Sequence, residues 1–405
     1  MIVALLLLAA VQSLYTSSFW EKKGINVRDQ LLDDENTQAV YLQTSCTDVD
    51  LSVPPYSHNG VVMSGYLNVN KAGSGLGFIF YGKEGASKAT LKNFPTIIWL
   101  NGGPGSSSQL GNFMELGPHF VRPAAMAPYE IVKNNYTWVK EYNVIFVDQP
   151  VGTGLSYADP QHPSPYCKNM TDVANDFYYA LKELYQNPNG CFNKSESPER
   201  IPSSCSERAM PEKNKGFLTG LKGVAIGDGF THPYHILTQE RFRQWVDLHD
   251  TFDLALDLIV NMSGGVNVYD ITKYREYPVE LIASFLESPD NKKRFALNDG
   301  VTFGKQSGNV YEALYADFMY QYVHLVEMLL EAKVNVLIYN GQNDLIVETP
   351  GTFKWPWKVK DKVAGFYKIV GNLELRTVND AGHLVPMDQG ENSLEMVKSF
   401  VKRSL

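Results

Sequence analysis

The feature that most constrains the fold is a glycine-rich loop directly after a short apolar run. Residues 96–100 form the run, which is typical of a buried strand, and the sequence continues Asn-Gly-Gly-Pro-Gly-Ser-Ser-Ser over residues 101–108. Glycine allows a backbone to adopt unusual φ/ψ angles and to approach another group closely. The loop is therefore either a plain turn or a place where backbone N–H groups face a ligand, and other segments must decide between them.

Strand and helix patterns alternate along most of the chain. A hairpin is predicted over residues 61–70 and 76–82, further strands over 143–148, 221–229, 334–339 and 373–378, and helices over 172–186, 317–332 and 391–403. Thr171 is the expected N-cap of the first of these helices. This alternation predicts a mostly parallel sheet with helices on both faces. Residues 235–310 are largely helical and are expected to form a cap inserted over the sheet.

Composition excludes several classes of function. The chain has 405 residues and a net charge of −8 without a basic run, which argues against nucleic-acid binding. No segment is long and apolar enough to span a membrane. None of the four cysteines lies in a Cys-x-x-Cys pair, so no metal site is expected, and no cofactor motif is present.

The N-terminus predicts entry into the secretory pathway. Residues 1–13 resemble a signal peptide, leaving a single domain over residues 14–405; a buried N-terminal strand or helix is the alternative. Behind a signal peptide, the four cysteines allow two disulfides in three pairings. Four glycosylation sequons modestly support secretory traffic. The cysteines are Cys46, Cys167, Cys191 and Cys205, and the sequons begin at Asn135, Asn169, Asn193 and Asn261.

An acid and a histidine follow the last two predicted strands. Asp344 lies in the loop after residues 334–339, and His383 in the loop after residues 373–378. Alone, such an Asp is more often a cap or turn residue, and such a His is more often a surface or core residue. Together, beyond the ends of neighbouring strands and in the order Asp then His, they match the acid and base of a hydrolase triad.

Six segments together resemble the serine carboxypeptidase family, with vitellogenic-like animal carboxypeptidases as the most similar branch. They are Trp-Leu-Asn-Gly-Gly-Pro-Gly at 99–105, Glu-Leu-Gly-Pro at 115–118, residues 148–157, Leu-Lys-Gly-Val-Ala-Ile-Gly-Asp-Gly at 221–229, residues 339–344, and Ala-Gly-His-Leu-Val-Pro at 381–386. The resemblance spans most of the chain in family order. It implies an α/β-hydrolase fold.

The resemblance also implies roles for particular residues. Asp344 and His383 would be the triad acid and base, and the Gly103 N–H would be an oxyanion-hole donor. Asn101 and Glu115 would hold the C-terminal carboxylate of a peptide or protein, with the carboxyl protonated in acid. The implied location is a lysosome, a vacuole or the extracellular space. Homodimers occur in the family, so a homodimer is among the expected assemblies.

The nucleophile of the family is missing. No Gly-x-Ser-x-Gly occurs in the chain, and residues 187–220 are polar and aperiodic. Ser197 is a weak candidate, because Pro198 after it has no N–H to donate to an oxyanion. The abrupt change there suggests a shifted reading frame or unusual exon usage.

Two functions remain open on these grounds. The chain is a serine-type carboxypeptidase that releases C-terminal residues if a nucleophile is present, or it is an inactive carboxypeptidase-like binding protein. An acyltransferase, a lipase or an esterase would need the same missing serine.

Overall fold

Two five-stranded β-sheets organise the protein, which we describe from a computed structural model over residues 45–69, 73–186, 191–192, 221–229, 245–318, 320–347 and 355–405. The strands are β1 (Ser45–Asp48), β2 (Val62–Asn68), β3 (Gly75–Tyr81), β4 (Thr96–Trp99), β5 (His119–Arg122), β6 (Glu130–Lys133), β7 (Asn143–Val147), β8 (Gly223–Gly227), β9 (Asn335–Gly341), β10 (Trp355–Val359), β11 (Lys362–Val370) and β12 (Leu373–Val378).

The α-helices are α1 (Ser108–Leu110), α2 (Met170–Gln186), α3 (Trp245–Ser263), α4 (Glu280–Leu286), α5 (Pro289–Arg294), α6 (Gly308–Leu314), α7 (Val323–Glu331), α8 (Val385–Asp388) and α9 (Gly390–Ser404). A π-helix over Gly111–Leu116 continues directly from α1. Single 3-10 turns occupy Lys88–Asn93, Trp138–Lys140 and Tyr315–Asp317. The helix predicted over 317–332 therefore begins later, at Val323.

Strand directions are mixed rather than mostly parallel. The first sheet has the order β1-β2-β3-β7-β4 and the second has the order β10-β11-β12-β9-β8, while β5 and β6 form a separate hairpin. Among the strands in the described part of the chain, β4/β7, β8/β9 and β9/β12 pair in parallel, and the other neighbours within the two large sheets are antiparallel. Among the described strands the two sheets are therefore mixed, and the sequence did not indicate this because an apolar run reports burial and not the direction of its neighbour.

One hydrophobic core joins the two sheets. It contains Ile145 and Val147 from β7 of the first sheet and Val224 and Ile226 from β8 of the second. The predicted apolar face of α2 packs into the same core through Phe177 and its neighbours. The two sheets therefore form one folded unit.

Helix α2 begins two residues earlier than predicted, at Met170. The Asn169 side-chain oxygen accepts a hydrogen bond from the Asp172 N–H at 2.9 Å, and Thr171 lies inside the helix. Asn169 is therefore the N-cap, a role for which Asn is as well suited as Thr.

The region predicted as a cap is helical but contributes to a core. The described residues within 235–310 form α3, α4, α5 and the start of α6 and include no strand. In α4, Ile282, Phe285 and Leu286 are fully buried and belong to a second core with Phe113. Whether the region also covers the site remains a prediction.

The cysteines give one disulfide among the described residues. Cys46 of β1 is bonded to Cys191, with a Cα–Cα distance of 5.3 Å. Cys167 is buried, with its Sγ 3.2 Å from Asp176 Oδ2. Cys205, the Asn193 sequon and the predicted signal peptide lie outside the described residues. None of the described helices has the length and apolar character needed to cross a membrane.

Candidate active site

The loops that carry Asp344 and His383 lie side by side. Asp344 follows β9 and His383 follows β12, and these strands pair in parallel with Val378 opposite Gly341. A Cβ on Gly341 would come within 2.0 Å of the Gly382 carbonyl oxygen, so only glycine permits this approach of the two loops. Parallel pairing therefore brings residues that are distant in sequence to one edge of the sheet.

The Asp344 carboxylate is hydrogen-bonded to the His383 imidazole. His383 Nδ1 lies 2.8 Å from Asp344 Oδ2, while Asp344 Oδ1 accepts backbone N–H bonds from Ile346 at 3.0 Å and Val347 at 3.3 Å. The Asp344 side chain is buried and that of His383 is 16% exposed. This arrangement fixes the imidazole orientation and leaves Nε2 to act as a general base.

Asp388 holds the loop that carries His383 through a hydrogen bond. Its Oδ2 accepts a hydrogen bond from the Gly382 N–H at 2.9 Å, and its Oδ1 lies 2.5 Å from Lys273 Nζ. The loop is also bonded from the His383 N–H to the Tyr269 carbonyl at 2.7 Å, and the Tyr269 ring lies 5.3 Å from the imidazole. No sequence pattern predicts a role for Asp388, because none connects it with residues 269–273.

The glycine-rich loop presents Asn101 and Gly103 at the end of β4. Asn101 Oδ1 accepts a hydrogen bond from Trp99 Nε1 at 2.6 Å, and the Asn101 N–H donates to Ser108 Oγ at 2.9 Å. Gly103 has a φ of +139°, which favours glycine, and no described residue accepts a hydrogen bond from its N–H. That N–H is therefore available to an oxyanion or another ligand acceptor.

Asp148 anchors the glycine-rich loop from beneath. The carboxylate, directly after β7, accepts hydrogen bonds from Ser107 Oγ at 2.8 Å, the Ser108 N–H at 2.6 Å and the Leu155 N–H at 2.7 Å. Burial raises the pKa of Asp148 to about 6. The sequence motif contained this residue, but its partners could be identified only once the loops were positioned.

Glu115 is a buried carboxyl with an unused oxygen. It lies on the π-helix, which packs against α8 just after His383, and it is 3% exposed. Its Oε1 has no hydrogen-bond partner. Burial raises the pKa of Glu115 to about 8, the negative charge of Asp388 acts in the same direction, and the Asn101 amide lowers it in part. The carboxyl is therefore mainly neutral and able to donate a hydrogen bond below that pH.

Asp228 completes a cluster with the Asp344–His383 pair. One side-chain ligand atom from each of the three residues lies within 4.8 Å of the others. Three such atoms could surround a cation, but a cation between His383 Nδ1 and Asp344 Oδ2 would replace their 2.8 Å hydrogen bond. The described geometry therefore favours a hydrogen-bonded cluster. Asp228 lies in the family-like segment at 221–229, but no sequence pattern predicts a role for this residue.

No serine completes the triad among the described residues, where no hydroxyl bonds to His383 Nε2. Ser197, the weak sequence candidate, lies outside them. The described residues thus provide a hydrogen-bonded acid and base, a loop N–H without an acceptor among them, and a buried neutral carboxyl.

Comparison with known proteins identifies the family. The serine carboxypeptidase family model matches residues 55–251 and 263–403. The chain belongs to the serine carboxypeptidase family. Serine carboxypeptidase-like 50 of Arabidopsis thaliana is 32% identical over 394 residues, which cover 84% of this chain and 87% of that relative. Retinoid-inducible serine carboxypeptidase of Mus musculus is 28% identical, covering 84% and 91% respectively.

A solved serine carboxypeptidase shares the fold. Kex1Δp, a prohormone-processing carboxypeptidase from Saccharomyces cerevisiae, aligns with a TM-score of 0.66 at 19% identity, over 88% of this chain and 95% of that structure. The predicted α/β-hydrolase fold is confirmed, with mixed rather than mostly parallel sheets.

Proposed function

We propose that this serine carboxypeptidase family member binds the C-terminal carboxylate of peptides at Asn101 and Glu115, beside the Asp344–His383 pair. The observation that carries the proposal is the Glu115 Oε1 atom, which is buried and has no hydrogen-bond partner. A buried polar atom without a partner is costly, so its retention is typical of a site that a ligand completes.

The chemistry of Glu115 selects a carboxylate. With its pKa raised to about 8, the Glu115 carboxyl is neutral in mild acid and can donate a hydrogen bond to an anionic oxygen. The Asn101 side chain can donate through its amide nitrogen, because its oxygen already accepts from Trp99. Two such donors fit the two oxygens of a peptide C-terminus.

We propose binding without hydrolysis as the main function. Peptide hydrolysis by this mechanism needs a serine at His383 Nε2, and without one only a small residual rate from positioning and the oxyanion hole is expected. Ser197 is a poor substitute, since Pro198 after it cannot donate the second oxyanion hydrogen bond.

Hydrolysis by a serine-type mechanism is the second candidate. The Asp344–His383 hydrogen bond supports it, because this bond orients His383 as a general base, which hydrolysis requires and peptide binding alone does not. A fluorophosphonate probe decides between the two, since covalent labelling requires a working nucleophile and labelled Ser197 would identify it by mass spectrometry.

We propose that the protein acts in the secretory pathway, in a lysosome, a vacuole or the extracellular space. The predicted signal peptide and the sequon asparagines support this location. Asn135, Asn169 and Asn261 are all exposed, as a glycan acceptor must be. Expression in a secretory host followed by glycosidase treatment tests it through a loss of apparent mass.

Calorimetric titration with matched peptides tests the binding proposal. An N-acylated dipeptide with a free C-terminal carboxylate should bind at least about tenfold more tightly than its C-terminal amide at mildly acidic pH, because the amide loses charge-assisted hydrogen bonds. Glu276 is exposed, so the variant Glu276→Gln serves as a control and should bind both peptides with the affinities of the wild type. Equal affinity for acid and amide would overturn the proposal.

A further inference from the structure

Asp228 occupies a strained and buried position next to the proposed site. It follows β8 with a φ of +48°, is 4% exposed, and its N–H donates to the Tyr339 carbonyl of β9 at 2.9 Å. A left-handed backbone at a non-glycine residue costs free energy and persists where the surrounding structure holds it. The backbone thus places this carboxyl against Asp344 and His383.

The two neighbouring carboxyls have unequal sets of hydrogen-bond donors. Asp344 accepts two backbone N–H bonds and faces the imidazole at 2.8 Å. Asp228 receives one backbone hydrogen bond, from the Gly341 N–H, and its Oδ1 has no hydrogen-bond partner among the described residues. Since two carboxyls in one buried site do not both ionise, the proton belongs on the carboxyl with fewer donors.

The surrounding groups agree with this assignment. Burial and the negative charge of Asp344 raise the pKa of Asp228 well above its ordinary value. The titratable groups around this cluster include the Tyr339 and Tyr269 hydroxyls. They also include the Glu115 carboxyl, which acts on Tyr339, and the Lys273–Asp388 ion pair beside the His383 loop. Burial raises the pKa of both tyrosines, so neither carries charge in the range where histidine titrates.

We propose that Asp228 is a positioning residue for His383: it holds a proton at neutral pH and directs it to the Asp344 carboxylate, which is thereby fixed and made less basic. The proton stays on Asp228 while His383 gains or loses its own. This role concerns the Asp344–His383 pair and goes beyond peptide binding, so it holds whether or not the carboxylate site is occupied.

The NMR titration of His383 in the full chain tests the proposal. The protein is labelled with 13C-histidine, and the His383 signal is assigned by its loss in His383→Gln among the eight histidines. Asp228→Asn exchanges one neutral donor for another, so the pKa of His383 should stay within about 0.3 units. As a reference, Asp344→Asn removes a contacting charge and should lower that pKa by about one unit or more.

A second variant distinguishes a neutral side chain that donates a hydrogen bond at position 228 from one that donates none. Asp228→Ala removes the donor and concentrates charge on Asp344, so the pKa of His383 should rise by about half a unit or more. Asp228→Gly, which also lacks a side-chain donor and tolerates the positive φ, is substituted should Ala prevent folding. A fall of about one unit in Asp228→Asn would show that Asp228 is charged and overturn the proposal. Identical titrations of Asp228→Asn and the donor-free variant would overturn it as well. Neither readout depends on peptide binding, so failure here is distinct from failure of the proposed function.

Discussion

The Ser107 hydroxyl lies 2.8 and 2.9 Å from the two carboxylate oxygens of Asp148, which ties the glycine-rich loop to the loop that follows β7. The same carboxylate accepts a hydrogen bond from the Ser108 N–H. The Ser107 hydroxyl and the Ser108 N–H are therefore both held by one buried carboxylate. The position of Asn101 and Gly103 therefore rests on a residue outside their own loop.

Asp148→Asn should destabilise the protein. The amide nitrogen would face donors that now bond to a carboxylate oxygen, which leaves buried groups unsatisfied at a cost of about 2–4 kcal/mol. Urea unfolding well above pH 6, where Asp148 is charged, measures the loss. Asp290→Asn on the exposed first turn of α5 is the control, with an expected change below about 0.5 kcal/mol. Equal losses in both variants would contradict the anchoring role.

His58 should make the protein less stable in acid. Its Nε2 is buried without a partner, and burial, the neighbouring His119 and Lys133 lower its pKa to about 4. Because the unfolded state binds a proton below about pH 6.5 and the folded state does not, stability falls as the pH drops from about 6.5 towards 4. The expected loss from this group is about 2–3 kcal/mol.

A His58→Phe variant isolates this effect. Phenylalanine keeps an aromatic ring against Tyr81 but has no titrating group. The acid-dependent loss in the free energy of unfolding should therefore shrink by about 2 kcal/mol. Thermal unfolding across this pH range provides the comparison, and the half-buried His162→Gln is the control. An unchanged pH dependence in His58→Phe would show that other groups cause the acid instability.

Peptide affinity should fall as the pH rises through about 8. Ionised Glu115 would repel a peptide carboxylate in place of donating to it, and its pKa is about 8. Glu115→Gln should bind with little pH dependence, because the amide donates at every pH. Glu115→Ala should lose about tenfold or more in affinity. Fluorescence anisotropy with a labelled peptide measures all three; a pH-independent wild type would exclude Glu115 as the recognition group.

Removing the Cys46–Cys191 disulfide should lower the free energy of unfolding. The bond joins residues 145 apart, and a loop of that length gives an entropic stabilisation of up to about 5 kcal/mol. The double variant Cys46→Ser, Cys191→Ser avoids leaving an unpaired thiol, and denaturant unfolding under oxidising conditions measures the change. A decrease of less than about 1 kcal/mol in the free energy of unfolding would show that removing the disulfide adds little conformational entropy to the denatured chain.

The motif residues were predictable because chemistry and chain order constrained them. Asp344 and His383 were placed from two strand ends and meet at 2.8 Å, since parallel strands present their carboxyl ends at one edge. The glycine-rich loop and the apolar face of α2 followed from short-range patterns. The patterns that predicted the loop and the apolar face of α2 each involve residues that are close together in sequence.

The missed features depend on partners that are distant in sequence. The edge strand β10 and its neighbour β11 were not predicted because several of their side chains are exposed and the apolar pattern is weak. Asp148 and Asp228 in loops and Asp388 at the end of α8 have no distinguishing sequence pattern. Their roles follow from tertiary contacts with hydrogen-bond donors, a second carboxyl and a lysine, respectively. The mixed strand directions were not indicated because pairing partners were unknown.

Saturation-transfer NMR on an N-acylated dipeptide in mild acid tests the central claim, because one sample reports both binding and hydrolysis. The account predicts transfer from the protein to the free acid, little transfer to the matching amide, and no release of free amino acid over about a day. Equal transfer to acid and amide would contradict carboxylate recognition. Release of the C-terminal amino acid would contradict binding without hydrolysis and establish a working nucleophile.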